Sequence, residues 1–222
     1  MGKLLDLASN CQWGNILLDC FYSLERVIIG VLAAIIIGIA VGLFRSSLPT
    51  KLQNNCLIKF LFEAPKFPPP IAWIPFVILF FGIGDLSAYV IVFIGAFSPI
   101  FISAYDGARS VPLIIKNTAY SMEVSKWKFL ILVILPASLP KIFTGIRAGI
   151  SMGWMSVIAA EMISGQSGLG YSIQLNRLNL QYNSIILDII LIGLIGYLLF
   201  ESAGYLEKKI IPWHIKTRNA FL

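Results

Sequence analysis

Long apolar segments alternate with short polar or basic stretches along this chain. Five segments are apolar enough to be membrane helices, namely residues 21–44, 71–82, 86–105, 140–163 and 184–205. A helix needs about 20 apolar residues to cross the hydrocarbon core of a bilayer. The pattern predicts an all-α, polytopic membrane protein with five transmembrane helices, whose membrane core covers residues 21–206 of a single domain over residues 1–222.

The second apolar segment differs from the others because it is short and follows three prolines. Pro68, Pro69 and Pro70 cannot continue a regular helix, since they lack N–H donors and clash with the preceding turn. A non-helical backbone at membrane depth is tolerated where protein or a watery cavity surrounds it. This bend, with Trp73 beside it, either borders the transport pathway or is a stiff loop at the cytoplasmic edge. A tight turn at Gly82 and Gly84 should follow the segment.

Basic residues are concentrated in three stretches, residues 45–66, 109–147 and 208–218. Such segregation between apolar segments is typical of cytoplasmic loops. It predicts a multi-pass protein of the cell (inner or plasma) membrane, with the N-terminus outside and the C-terminus in the cytoplasm. The net charge of +6 is explained by this pattern, so we expect no nucleic-acid partner.

The composition agrees with the membrane class. Hydrophobic residues make up 58% of the chain and charged residues 13%, and the mean hydropathy is +0.84. In a typical soluble domain, charged residues make up about a quarter of the sequence. The three cysteines have no metal-type spacing and there is one histidine, His214. With no phosphate-binding loop and no plausible Ser/His/Asp set, we expect no metal, no cofactor and no enzymatic activity in this chain.

One long polar break, residues 106–138, interrupts the apolar pattern. Ser110 with Pro112 can begin one short helix and Ser125 a second, while Ser138 with Pro140 can begin the fourth membrane helix. A soluble partner can contact such a break, which we interpret as a cytoplasmic docking loop. Residues 164–183 are polar and contain glycines, which favours an outside loop.

Small residues recur every four positions in two of the apolar segments. They are Gly30, Ala34, Gly38 and Gly42 in the first and Gly145, Gly149 and Gly153 in the fourth. This spacing places the small residues on one face, where another helix can approach closely. We expect this face to pack within the chain, with a subunit contact as the alternative.

Ionisable residues inside membrane segments usually face a cavity or a charged partner. Glu161 lies near the outer end of the fourth segment, where it either lines an outer gate or makes a structural hydrogen bond or ion pair. Arg26, with Glu25, is expected to be an interfacial anchor. A membrane-embedded enzyme would need such residues to cluster, whereas Glu161, Asp188 and Glu201 are far apart in the sequence.

Two further residue types have expected structural roles. Arg147 should reach toward the cytoplasmic side or meet Asp106 or Glu63. Tryptophans are enriched at membrane interfaces, and such belt positions are proposed for Trp73, Trp127 and Trp154.

A series of short motifs resembles the permease subunits of ABC importers, most closely the nitrate/sulfonate/taurine branch. The motifs are SLERVIIG (23–30), PPIAWIP (69–75), FGIG (81–84), GAFSP (95–99), LPASLP (135–140), TGIR (144–147) and AAEM with SGLGY (159–171). Their order and spacing carry the resemblance, which covers residues 21–210. It implies the five-helix core of a type I importer permease, without the additional preceding helix that members usually have.

The resemblance also implies partners and a solute class. In that family a permease dimer works with two ATP-binding cassette ATPase subunits and an extracytoplasmic substrate-binding protein, within membrane lipid. The implied function is the transmembrane pathway for a small polar, anionic solute such as nitrate, sulfonate or taurine, driven by ATP hydrolysis in the partner. A stand-alone secondary transporter or channel is the alternative. The tentative pathway or gate residues are Glu161, Pro69, Pro70, Trp73, Ser167 and Gly168.

The resemblance places an ATPase-coupling motif in the polar break. The family motif is Glu-Ala-Ala, three residues and Gly, followed later by Leu-Pro. The corresponding residues here are Asn117, Thr118, Ala119, Tyr120, Ser121, Met122 and Glu123, with Leu135 and Pro136. Asn117 replaces the usual glutamate. Glu123 replaces a glycine that readily takes a left-handed backbone conformation, so we expect a reshaped break between the two short helices.

Overall fold

The computed structural model describes residues 13–49, 55–64 and 67–213, and regular structure in these ranges is helical. The α-helices are α1 (Trp13–Ser47), α2 (Cys56–Glu63), α3 (Ile74–Phe81), α4 (Asp85–Arg109), α5 (Leu113–Ser121), α6 (Lys126–Phe129), α7 (Leu135–Ser164), α8 (Leu169–Leu178) and α9 (Tyr182–Ile210). A 3-10 turn, Pro70–Trp73, precedes α3, and a π-helical stretch, Leu130–Ile134, joins α6 to α7.

Within the described ranges, four helical runs are long and apolar enough to cross a membrane. They are Ile16–Ser47, Asp85–Arg109, Trp127–Ser164 and Tyr182–Ile210. The second predicted segment forms a shorter apolar helix, Pro70–Phe81, because Pro69 is extended and the helix begins after it. The prediction of an all-α polytopic membrane protein is confirmed.

The chain divides into two compact units, and α1, α4 and α7 each contribute residues to both. Unit 1 contains Met1–Leu32, Pro69–Gly95 and Ile150–Leu199, and unit 2 contains Ala33–Pro68, Ala96–Gly149 and Phe200–Leu222. The expected single domain over residues 1–222 stays a prediction.

Unit 1 has an apolar core beside the proline bend. Ile74, Val77, Ile91 and Ala160 are buried together, and Trp73 packs against them. Trp154 is also buried, and its indole Nε1 donates to the carbonyl of Ile192 at 3.0 Å. The proposed interfacial belt position is therefore wrong for Trp154, because its ring lies inside unit 1.

Unit 2 is built around Leu43, Ala108, Val111 and Ile134. Close helix packing there uses the predicted small-residue faces. A Cβ atom at Gly42 would lie 2.8 Å from the carbonyl oxygen of Phe101, and one at Gly149 would lie 3.0 Å from that of Ala96. The expected packing of these faces within the chain is thus seen, since α4 fills the space that larger side chains would need.

The fourth membrane helix begins earlier than predicted. Ser138 and Pro140 lie inside α7, and the Ser138 hydroxyl donates to the carbonyl of Leu135 rather than capping a new helix. The N–H of Leu135 bonds to the carbonyl of Leu130, five residues back, at the end of the π-helical stretch. This wider turn immediately precedes Pro136, which has no N–H to donate, so the helical path continues without a break.

Two other local predictions are corrected. Ser110 does not cap α5, because its hydroxyl donates to the carbonyl of Gly107 and ends α4; the Pro112 carbonyl accepts the first helical bonds. Residues 164–183 are not only a loop, since they contain α8. The predicted turn at Gly82 and Gly84 is present, with φ angles of 76° and 148°.

Candidate functional site

Arg26 is the centre of a buried polar cluster in unit 1. Its Nε and Nη2 atoms donate to Oδ1 of Asp85 at 2.9 and 2.6 Å, and Nη1 donates to Oε1 of Glu161 at 2.8 Å. Its remaining bonds go to Ser167, from Nη1 to the carbonyl at 2.7 Å and from Nη2 to the hydroxyl at 2.8 Å. The guanidinium thus joins α1, the start of α4, the end of α7 and the following loop.

Glu161 is enclosed and uses both of its carboxylate oxygens. The hydroxyl of Ser23 lies 2.9 Å from each oxygen, and the N–H of Gly170 donates to Oε2 at 3.0 Å. Its side chain is 1% exposed and that of Arg26 is 6% exposed. A buried ion pair is stable only when its remaining hydrogen-bonding capacity is satisfied in this way.

The first N–H groups at the start of α8 are capped by side chains from distant parts of the sequence. Gly168 donates to Oδ1 of Asp19 at 2.8 Å and Leu169 to Oγ of Ser23 at 3.0 Å, while Gly170 donates to Glu161. Gly168 has φ 106°, and a Cβ atom there would collide with the Glu161 carboxylate. Glycine at position 168 therefore lets the loop close over the ion pair.

A second buried carboxylate, Asp188 of α9, holds α8 from another direction. Asn176 donates to its Oδ2 at 2.8 Å and Ser172 at 3.1 Å. Together with the caps at Gly168 to Gly170, these bonds fix both the start and the middle of α8. Arg26, Asp85 and Glu161, which are far apart in sequence, are thus gathered in unit 1, whereas Asp188 has other partners and Glu201 belongs to unit 2.

A small cavity of about 80 Å³ reaches this cluster. It is lined by Arg26, Gly84, Asp85, Ala88, Ala160, Glu161, Ser164, Gly165, Gln166 and Ser167. Gly84, Asp85 and Gln166 are exposed, whereas Arg26 and Glu161 are buried. The cavity therefore leads from the protein surface to the guanidinium.

The structure decides between several predicted roles for these residues. Arg26 is not an interfacial anchor beside Glu25, because it is buried with Asp85 and Glu161, and Glu25 instead accepts from Tyr89 at 3.3 Å. Glu161 makes an ion pair and hydrogen bonds, as one of the two roles expected for it required. Asp85 and Ser23, which the sequence analysis did not select, prove to be central. The local sequence signal for this role of Asp85 was its place directly after the glycine turn at Gly82 and Gly84.

Of the tentative pathway residues, three come together and three do not. Glu161, Ser167 and Gly168 belong to the Arg26 cluster. Pro69 and Pro70 form the turn before α3, and Trp73 lies against the apolar core of unit 1 and edge-on to Phe76. No bond from the proline bend to the Arg26 cluster is seen among the described residues, and the pathway role of both stays a prediction.

Arg147 in unit 2 has a partner that was not predicted. Its Nη1 atom lies 3.6 Å from Oε2 of Glu207, and its guanidinium carbon lies 4.1 Å from the centroid of the Phe200 ring. Gly204 lies beside the Arg147 guanidinium, since a Cβ atom built on this glycine would be 3.4 Å from the guanidinium carbon. This pairing with Glu207 of α9 was not among the contacts expected from the sequence.

Helix α5 presents the predicted coupling residues on two different faces. Asn117, Thr118, Ser121 and Met122 are exposed, as are the preceding apolar residues Leu113 and Ile114. These positions repeat at intervals of three and four residues, so they form one face of the helix. We call Leu113, Ile114, Asn117, Thr118, Ser121 and Met122 the outer face of α5.

Ala119 lies on the opposite face. It is buried with 6% exposure in unit 2, where α5 contacts the π-helical stretch. Close approach of a partner to Ala119 is therefore excluded by the chain's own packing, contrary to its proposed place in the docking interface. The side chain of Tyr120 lies outside the described residues.

Glu123 follows α5 in the left-handed conformation, with φ 53°. The expected reshaping of this break is wrong, because the backbone takes the conformation that a glycine would favour. For a residue other than glycine this costs about 1–2 kcal/mol. Its carboxylate is exposed and is the only one in residues 107–160. Leu135 and Pro136 are half-buried at the start of α7.

The described residues contain no group of three or more His, Cys, Asp or Glu side chains that could hold a metal ion. In the same ranges Cys20 and Cys56 are free thiols. Cys11 and His214 lie outside the described ranges.

Comparisons with known proteins place this architecture among transport proteins. The family model described as binding-protein-dependent transport system inner membrane component matches residues 30–212. The chain is 33% identical over 192 residues to the taurine transport system permease protein TauC of Escherichia coli, which covers 86% of this chain and 69% of TauC. It is also 33% identical over 195 residues to the nitrate import permease protein NrtB of Synechocystis, covering 88% and 70% of the two chains.

A third relative and two solved structures extend this similarity. The bicarbonate transport system permease protein CmpB of Synechococcus elongatus is 37% identical over 190 residues, covering 85% of this chain and 67% of CmpB. Two inward-facing crystal forms of the MetNI methionine ABC transporter match with TM-scores of 0.72 and 0.74 at 18% and 17% identity. These matches cover 86% and 89% of this chain and 93% and 97% of the solved chains, and they support the fold.

Proposed function

The chain belongs to the binding-protein-dependent transport system inner membrane components, and from that membership we propose that it forms the membrane pathway for a small oxyanion. It is a multi-pass permease subunit of an ABC importer. The proposed solutes are nitrate, bicarbonate or a sulfonate such as taurine, and the proposed energy source is ATP hydrolysis in a separate subunit.

The observation that carries this proposal is the chemistry shared by the relatives. The relatives are named for taurine, nitrate or bicarbonate transport, and the similarity of each covers 85% or more of this chain. Each of these solutes carries an oxyanion group, either a sulfonate, a nitrate or a bicarbonate. The choice among them is open, because a separate substrate-binding protein would select the solute before it reaches this chain.

Coupling to the ATPase is proposed for the outer face of α5. This face combines large exposed apolar side chains, with Leu113 74%, Ile114 75% and Met122 73% exposed, and small polar ones. Interface energy is concentrated in a few large side chains that become buried on binding. A second copy of this chain is the proposed partner within the membrane, and the extracytoplasmic binding protein is proposed to supply the solute.

Solute-stimulated ATP hydrolysis tests the proposed function. The full chain would be purified with the ATPase that remains bound to it, reconstituted in vesicles and supplied with its binding protein. Nitrate, bicarbonate or taurine should raise ATP hydrolysis and drive accumulation of the solute. Accumulation by the chain without an ATPase, driven by an ion gradient, would contradict the importer mechanism and support a secondary transporter.

The proposed orientation places the C-terminus and Cys56 in the cytoplasm and the N-terminus outside. Cys56 begins α2 and is exposed, so a thiol reagent can reach it if the reagent is on the same side. In a variant that keeps Cys56 as its only cysteine, a membrane-impermeant reagent should label Cys56 in opened membranes and should not label it in intact cells. Equal labelling of intact cells would reverse the orientation.

A further inference from the structure

Asp85 is the exposed member of the Arg26 cluster. Its side chain is 61% exposed, against 6% for Arg26 and 1% for Glu161. Glu161 is held in place by Ser23, Arg26 and Gly170. It is also the buried counter-charge of Arg26, so its departure from the guanidinium would be costly. Asp85 can turn toward solvent and be hydrated there. The Nε–Nη2 edge of Arg26, which faces Asp85, is therefore the part of the cluster that a molecule from solvent can reach.

Asp85 fills this edge with a single oxygen. Both Nε and Nη2 donate to Oδ1, at 2.9 and 2.6 Å. A guanidinium edge is matched best by a group that offers one oxygen to each donor, in two parallel hydrogen bonds. A planar oxyanion with two such oxygens would fit the two donors better than Asp85 does in this structure.

The cavity brings Arg26 and Asp85 to one opening. Its lining includes the exposed residues Asp85 and Gln166 and the buried side chains of Arg26 and Glu161. Its volume of about 80 Å³ exceeds the roughly 10–15 Å³ that a cavity needs to hold one water. The cavity therefore has room for a group of a few non-hydrogen atoms, such as nitrate or bicarbonate.

The charges and the local backbone permit Asp85 to be exchanged for an anion. A monovalent oxyanion at the edge would replace the charge of Asp85, so the balance around Arg26 and Glu161 would not change. Gly82 and Gly84 precede Asp85, and Cβ atoms built on either glycine would have no atom within 4 Å. The side-chain positions of this turn are therefore open, so the Asp85 carboxylate has free space beside it when it leaves the guanidinium.

We propose that the Nε–Nη2 edge of Arg26 is a binding site for a small planar oxyanion, and that Asp85 competes for this site. The proposal concerns binding by this chain alone. It remains testable if the proposed import of oxyanions is wrong, because its experiment needs neither the ATPase nor transport.

The test compares sodium nitrate with sodium chloride at equal ionic strength, using the thermal unfolding midpoint of the purified full chain. Asp85→Ala removes the competing carboxylate. We expect nitrate to raise the midpoint of this variant saturably and chloride not to do so. A site that its own competitor occupies for part of the time binds more weakly, in proportion to the fraction of time for which it is open. Wild type should therefore show the same nitrate effect only at a higher concentration than Asp85→Ala.

Two control variants separate this site from general salt effects. Asp188→Ala removes a carboxylate that has Asn176 and Ser172 rather than an arginine as its partners, and this variant should respond equally to both salts. Adding Arg26→Lys to Asp85→Ala should abolish the nitrate effect, because a lysine cannot offer two parallel donors. Persistence of the effect in that double variant would overturn the proposal.

The remaining outcomes also decide the proposal. Equal responses of Asp85→Ala to nitrate and chloride would overturn it. If Asp85→Ala does not fold, Asp85→Asn and wild type take its place, and the absence of a nitrate-specific rise in both would overturn it as well. Bicarbonate should act as nitrate does, and taurine, whose sulfonate is tetrahedral, should act more weakly. An equal or stronger effect of taurine would contradict the assignment to planar oxyanions.

Discussion

The Arg26 cluster and the outer face of α5 differ in burial and in the range of their hydrogen bonds. In the cluster, Arg26 and Glu161 are buried, and Arg26 bonds to a residue 141 positions away in the sequence. On α5 the exposed hydroxyls of Thr118 and Ser121 bond only to carbonyls four residues back in the same helix, and large apolar side chains remain exposed. The first region is complete within one chain, whereas the second has the properties of a surface that another protein covers.

This difference predicts which region controls stability and which controls assembly. Substitutions in the cluster should lower the stability of the chain whether or not an ATPase is present. Substitutions on the outer face of α5 should leave folding intact and affect the ATPase. Glu161→Gln and Gly168→Ala test the cluster, Glu123→Gly tests the turn that follows α5, and Ser121→Arg tests the outer face of α5.

Glu161→Gln should produce the largest loss of stability. It leaves Arg26 without its buried counter-charge, and breaking a buried ion pair costs about 3–5 kcal/mol. The measurement is the thermal unfolding midpoint of the purified chain. Glu201→Gln, which neutralises an exposed carboxylate of α9, is the matched control and should have little effect. Unchanged stability with altered solute uptake would instead support a gate role for Glu161.

Gly168→Ala should have a smaller but clear effect. The backbone at φ 106° and ψ 168° is a region that is essentially restricted to glycine, and another residue there costs about 1–3 kcal/mol. The new methyl group would also displace the Glu161 carboxylate. Gly193→Ala is the control, because a Cβ atom at Gly193 meets no atom within 4 Å. Equal unfolding midpoints for the two variants would show that the loop is not held by Glu161.

Glu123→Gly should stabilise the chain slightly. It removes a left-handed strain of about 1–2 kcal/mol but adds about 0.5–1 kcal/mol of unfolded-state entropy, which leaves a net gain of about 0.5–1 kcal/mol. Glu123→Gln loses the charge without relieving the backbone and should show no gain. A similar midpoint for both variants would mean that the conformation at this position is not strained.

The sequence was sufficient for features that depend on local composition. Apolar length and small-residue spacing predicted the membrane helices and their close packing at Gly42 and Gly149. The order of short motifs predicted the family. The left-handed turn after α5 was not predicted in this way, because the substitution of Glu123 for glycine led us to expect a reshaped break.

Long-range partners could not be predicted in the same way. Arg26 and Asp85 are separated by 59 residues, and Arg26 and Glu161 by 135 residues, so no helical or turn periodicity connects them. The start of α8 was missed for the same reason. Its first N–H groups are capped by Asp19, Ser23 and Glu161, whereas sequence analysis looks for a cap within the preceding residues.

Ser121→Arg tests most directly whether the outer face of α5 is the ATPase contact. The full chain would be purified with its bound ATPase, and the amount of ATPase per chain would be compared with wild type. Asn179→Arg, an exposed position between α8 and α9, is the matched control for an added surface charge. We predict that Ser121→Arg loses most of the ATPase at an unchanged unfolding midpoint, while Asn179→Arg retains it. Full retention and full solute-stimulated hydrolysis with Ser121→Arg would contradict the assignment of this face.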